Sequence, residues 1–107
     1  MGKDIKAYNN ILELIGGTPL VKLNRIVDEV PGDFYAKVEA FNPGQSTKDR
    51  IVLYIIEEAE SRGILKPGDT IIETTSGNTG FSLAMVSIIK GYECILCLLY
   101  TSDAADD

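Results

Sequence analysis

Lys48 sits where a lysine is out of place. Asn42-Pro43-Gly44-Gln45-Ser46-Thr47-Lys48-Asp49-Arg50 reads as a turn followed by a helix start. Ser46 with Asp49 fits the [ST]-x-x-[DE] pattern that caps a helix. Helix N-termini carry partial positive charge, so a cation in the first turn is disfavoured by roughly 0.3–1 kcal/mol. Desolvation would favour the neutral amine further. A neutral lysine amine is the nucleophile that forms a Schiff base with a carbonyl compound. The alternative is a solvated lysine whose long stem carries its charge away from the helix end.

A second stretch bears chemistry of another kind. Glu73-Thr74-Thr75-Ser76-Gly77-Asn78-Thr79-Gly80 follows the apolar pair Ile71-Ile72 and precedes Phe81–Ile89. That order is strand, small polar loop, helix. Backbone N–H groups at a helix start bind anions. Hydroxyls of Thr75, Ser76 and Thr79 and the amide of Asn78 add donors, and Gly77 permits close backbone approach. A phosphate and a carboxylate both suit such a loop. An ordinary strand-to-helix connection uses the same residue types. The loop is neither a Walker loop nor a G-x-G-x-x-G fingerprint.

Cys94 and Cys97 form a C-x-x-C on an apolar stretch that reads as a buried strand. A redox pair belongs near a helix start. The chain has no histidine and no further cysteine, so a tetrahedral zinc site lacks ligands. No metal is expected.

The positioning elements follow from periodicity and punctuation. Residues 1–10 are polar, and Ile11–Ile15 is a short amphipathic piece. Leu20–Leu23 reads as a strand opened by Pro19. Phe34, Ala36, Val38 and Ala40 alternate through a strand to Phe41. The lysine helix spans about 47–62, with Ile51, Val52, Ile55, Ile56 and Ala59 on one face and Gly63 as its stop. A strand over Thr70–Thr74, a helix over about 79–90 ended by Gly91, and a strand from Tyr92 complete the pattern. Strand–helix–strand–helix–strand predicts an α/β fold: a mostly parallel sheet with flanking helices and right-handed crossovers. Ligands bind such sheets outside the carboxyl ends of the strands. Lys48 and the Thr75–Thr79 loop are thus expected in one crevice.

Length and charge exclude some classes. The 107 residues suffice for one small domain. The formal charge of −6 and the lack of a basic block argue against nucleic acid. The sequence has no apolar run of membrane-spanning length and no signal core near Met1. It reads as a soluble cytoplasmic protein with no membrane partner.

Ser46-Thr47-Lys48-Asp49-Arg50 followed by Thr75-Ser76-Gly77-Asn78-Thr79-Gly80 resembles the fold-type II pyridoxal-phosphate enzymes, in the cysteine synthase and cystathionine β-synthase branch. Ile15-Gly16-Gly17-Thr18-Pro19-Leu20-Val21 resembles that family's opening segment, and Ile64–Glu73 its run into the second motif. The likeness covers roughly residues 11–96, as the incomplete N-terminal part of such an enzyme.

The resemblance implies that Lys48 binds pyridoxal 5'-phosphate covalently and serves as the catalytic base. It implies that Asn78 hydrogen-bonds the cofactor's ring hydroxyl oxygen. Thr75, Ser76, Gly77 and Thr79 would hold the carboxylate of a small amino-acid substrate. Sulfide or a thiol would be the second substrate, and the full-length protein a homodimer. Asp49 and Arg50 are expected to be structural, as a helix cap and a nearby ion-pair partner. Gln45, Thr47 and Thr74 depart from the family pattern, which bears on subfamily. Thr79-Gly80 after Asn78 favours cysteine synthase over threonine dehydratase. The absence of histidine argues against a haem-binding cystathionine β-synthase.

Residues 97–107 do not continue the family pattern and resemble a translated sequencing adapter, so residues 1–96 are expected to be the natural part. The family places its glycine-rich phosphate loop and the serine facing the pyridine nitrogen further downstream. The chain is therefore expected to be inactive by itself.

Overall fold

The computed structural model describes residues 5–25, 28–75 and 77–98. Residues 99–107, most of the expected foreign tail, lie outside the described residues, as does Ser76. Strand β1 (Leu20–Leu23) pairs antiparallel with β2 (Phe34–Lys37), with Leu20 opposite Lys37. Helix α1 (Lys48–Ser61), strand β3 (Thr70–Thr75), helix α2 (Asn78–Lys90) and strand β4 (Glu93–Leu98) follow in order. β3 and β4 pair in parallel, from Thr70 opposite Glu93 to Thr75 opposite Leu98. Cys97 and Leu98 thus belong to β4, two residues beyond Leu96.

Helix α2 packs against α1 and against both strands of the β3–β4 pair. The buried core is Val52 and Ile56 from α1, Leu83 and Val86 from α2, and Tyr92 at the start of β4. Ile71, Cys94 and Leu96 pack against it from the sheet. The parallel crossover expected through α2 is present. Gly91 ends α2 at φ +88°, a left-handed conformation that glycine adopts without strain.

Two expectations need correction. The strand over residues 34–41 stops at Lys37, and Glu39–Phe41 form a 3-10 turn. β2 pairs with β1 and is not hydrogen-bonded into the β3–β4 sheet. The cause is local polar competition. The Asn42 side chain, 2% exposed, donates to the Glu39 and Ser46 carbonyls and accepts the Gly16 N–H at 2.8 Å. These bonds curl the chain where alternation predicts extension.

The apolar face of α1 is also narrower than its spacing suggests. Val52 and Ile56 are buried, whereas Ile51 and Ile55 are 48% and 58% exposed.

Candidate active site

Helix α1 opens on Lys48, as the turn signal predicts. Its first turn is built differently from the expected capping box. Thr47 is the N-cap and its side chain makes no capping bond. Ser46 Oγ accepts the Lys48 N–H at 3.2 Å. Asp49 is fully buried. It accepts the Gly44 N–H at 2.5 Å and the Ser82 hydroxyl of α2 at 2.6 Å. Gly44 is obligatory there, because a Cβ would collide with the Asp49 carboxylate. Gln45, between Gly44 and Ser46, has φ +68°, a left-handed conformation that costs a residue with a Cβ roughly 1–2 kcal/mol, and nothing in the structure explains why a glutamine stands there.

Arg50 points away from both neighbours. Its guanidinium meets Glu39 at 2.5 and 3.0 Å, the Gly16 carbonyl at 2.9 Å and Thr18 Oγ1 at 3.1 Å. The ion-pair partner of Arg50 is thus Glu39, not Asp49. The Arg50 guanidinium, helped by the Thr18 hydroxyl, draws the Glu39 carboxyl down to about 2.

The second wall is the strand-to-helix loop. Thr75 ends β3 and is buried, while Gly77 precedes α2 at φ +121° and ψ −123°, a region open essentially to glycine. Phe81 N–H bonds the Gly77 carbonyl at 3.1 Å and closes the first turn of α2. Gly80 packs so tightly on Thr75 that a Cβ would lie 2.8 Å from its Cγ2. The loop, strand end and helix start are therefore held as one unit.

Lys48, Glu73, Thr74, Thr75, Asn78 and Thr79 line one open cleft of about 470 Å³. Four of the expected residues thus share a cleft: Lys48, Thr75, Asn78 and Thr79. Gly77 is exposed in the loop beside it. Glu73 and Thr74 line the same cleft, beyond the residues to which the sequence assigns a site role. Glu73 Oε1 accepts the Thr74 N–H at 3.0 Å, a donor that a proline at this position could not supply. Lys48 is exposed, so the desolvation considered for its amine is not found around it.

The cleft combines a carboxylate with several donors: a primary amine, three threonine hydroxyls, a carboxamide and the N-terminus of a 13-residue helix. Such donors suit a small molecule with a carbonyl carbon and anionic oxygens. Among the described residues no group of three or more His, Cys, Asp or Glu could hold a metal. Cys94 and Cys97, three apart on β4, project to opposite faces of the sheet.

A sequence model described as pyridoxal-phosphate dependent enzyme matches residues 11–105. The chain belongs to this family. It is 54% identical over 93 residues to the cysteine synthase of Staphylococcus aureus, covering 87% of this chain and 30% of that protein. It is 50% identical over 99 residues to the cystathionine beta-synthase of Apis mellifera, covering 91% of this chain and 20% of that one. Among solved structures, a hydrogen sulfide-producing enzyme from Fusobacterium nucleatum superposes with a TM-score of 0.82 at 45% identity. That match covers 92% of this chain and 32% of the other. The fold is therefore part of a pyridoxal-phosphate enzyme, and the chain spans less than a third of the length of these relatives. Among the described residues no helix is long and apolar enough to cross a membrane.

Proposed function

We propose that this chain supplies the lysine-bearing wall of a pyridoxal-phosphate site for β-replacement, making cysteine from O-acetylserine and sulfide in the full-length parent. The observation that supports this most is that Lys48 shares a cleft with Thr75, Asn78 and Thr79. When bound, pyridoxal 5'-phosphate supplies an electron sink for carbanion chemistry at the substrate's α-carbon. The residues present fit its covalent end. Lys48 Nζ would hold the cofactor and would serve as general base toward the substrate's α-proton. Asn78 would donate to the cofactor's ring hydroxyl oxygen. Thr75, Ser76, Gly77 and Thr79 would bind the substrate carboxylate. Loss of the β-substituent and addition of sulfide complete the replacement.

A second reading is the condensation of serine with homocysteine, favoured by the 50% identity to a cystathionine beta-synthase. Both readings use the same residues here. The full-length protein is proposed to be a cytoplasmic homodimer, the commonest symmetric assembly. Residues 97–107 are proposed to be foreign to it.

A chimera tests the reading. Residues 11–96 replace the matching segment of the Staphylococcus aureus cysteine synthase. The chimera is expected to form cysteine from O-acetylserine and sulfide. Lys48→Ala in it is expected to cost at least ~10²–10⁴-fold, the usual worth of a positioned base. Undiminished turnover in Lys48→Ala would remove the catalytic assignment. Substrate-swap kinetics on the full-length parent, O-acetylserine and sulfide against serine and homocysteine, separate the two readings, because the residues that choose the thiol lie outside this segment.

A further inference from the structure

We propose that Asp49 is a positioning residue that fixes Lys48 against the Asn78 end of helix α2. The proposal rests on the reading of Lys48 and Asn78 given above. Asp49 and Ser82 are both 0% exposed. One carboxylate oxygen, Oδ2, accepts the Gly44 N–H at 2.5 Å. The other, Oδ1, accepts the Ser82 hydroxyl at 2.6 Å. The Ser82 hydroxyl also lies 3.0 Å from the Asn78 carbonyl. A continuous polar chain therefore runs from the turn before Lys48, through the residue after it, to the backbone of Asn78.

Nothing about a helix cap requires this arrangement. A capping carboxylate turns back to its own N-terminus and stays wet. Asp49 turns back with one oxygen, to Gly44, but sends the other across to a second helix, and it is fully buried. A buried carboxylate is retained only where its lone pairs are met, and here each oxygen has a donor. Removing it leaves the Gly44 N–H without its acceptor, turns the Ser82 hydroxyl to the Asn78 carbonyl alone and lets the two helix starts move independently. Asparagine can replace it. Its Oδ1 can face Gly44 while its N–H₂ donates to Ser82 Oγ, and the serine proton then turns to the Asn78 carbonyl.

The test uses the 107-residue chain and two readouts. The first is amide hydrogen exchange at Gly44 and Phe81, which needs no cofactor. Asp49→Ala is expected to speed exchange at both by about tenfold or more, the worth of a charged hydrogen bond. Ser82→Ala, a milder change, is expected to do so at Phe81 alone, and Asp49→Asn at neither. The second readout is the lysine labelled by pyridoxal phosphate and borohydride, located by peptide mass. Lys48 is expected to take a larger share than the exposed Lys22 and Lys66. That share should fall several-fold in Asp49→Ala and Ser82→Ala and persist in Asp49→Asn. Unchanged exchange at Phe81 in both alanine variants would overturn the positioning role. Normal coupling in exchange, with no preference for Lys48 in the parent chain, would support the clamp and count against the cofactor reading instead.

Discussion

Lys48, Asp49 and Arg50 are consecutive, and each answers to a different part of the chain. Lys48 lines the cleft, Asp49 reaches Ser82 on α2, and Arg50 reaches Glu39, Thr18 and Gly16. The first assignment is legible in sequence, because a turn signal and a helix start fix where Lys48 must lie. The other two are not. Ser82 is 33 residues from Asp49 and Glu39 is 11 from Arg50, and no local pattern marks either pair. Glu39 carries a testable consequence. Its folded value of about 2 lies below the ordinary 4.5, so its contribution to stability is present above pH 4.5. That contribution is lost as pH falls from 4.5 toward 2. Glu39→Gln is expected to flatten this acid limb in denaturant melts taken across that range. An unaltered limb would show that Arg50 holds nothing that protonation can release.

At the scale of elements, α1 and α2 are joined by apolar packing and by a polar clamp at the far end from the cleft. The Tyr92 hydroxyl donates to Glu60 at 2.5 Å, and Lys90 Nζ reaches the same carboxylate at 3.0 Å. The bond to Glu60 pushes the Tyr92 phenol up to about 12 and, with Lys90, draws the Glu60 carboxyl down. The raised phenol gives the opposite sign to Glu39. Its stabilisation is complete below pH 10 and is lost as pH rises from 10 to about 12. Tyr92→Phe should remove that alkaline dependence in thermal melts.

Ser87 is the reverse case. Its buried hydroxyl has no hydrogen-bond partner among the described residues. Ser87→Ala is expected to stabilise the chain by about 1 kcal/mol, which moves the melting temperature up by roughly 4–8 °C. A fall would mean that the hydroxyl has a partner, such as water.

Helix and strand positions were mostly legible, because Gly, Pro and the apolar period punctuate them. The 3-10 turn at Glu39–Phe41 was not. Alternation from Phe34 to Ala40 is a strand signal, and only the buried Asn42 overrides it. The breadth of the α1 face was misread for a similar reason. Periodicity says which residues share a face and not how much of it a neighbour covers.

The whole molecule is a part of a larger architecture in its relatives, spanning 30% of the cysteine synthase it matches. It nevertheless contains a shared core, one parallel strand pair and one cleft with the lysine and the polar loop on its walls. The expected outcome for the purified chain is no measurable synthesis of cysteine from O-acetylserine and sulfide. Turnover at a rate above the cofactor in free solution would show that these residues are sufficient. The family was legible from two short motifs at a characteristic separation, and residues of both line one cleft. The choice of thiol was not, since Thr75, Asn78 and Thr79 address the amino-acid half of the reaction in either reading.

Successive residues on an α-helix diverge by about 100°, so three in a row face three neighbourhoods. For Lys48-Asp49-Arg50 this has a genetic meaning. The tripeptide behaves as three separately inherited constraints rather than as one motif. In a saturation library, tolerated changes at Asp49 would covary with Ser82 and Gly44, and those at Arg50 with Glu39 and Thr18. Position 48 would stand apart, selected by activity alone. Grafting the three letters onto another helix would transfer the lysine and strand its two neighbours among strangers.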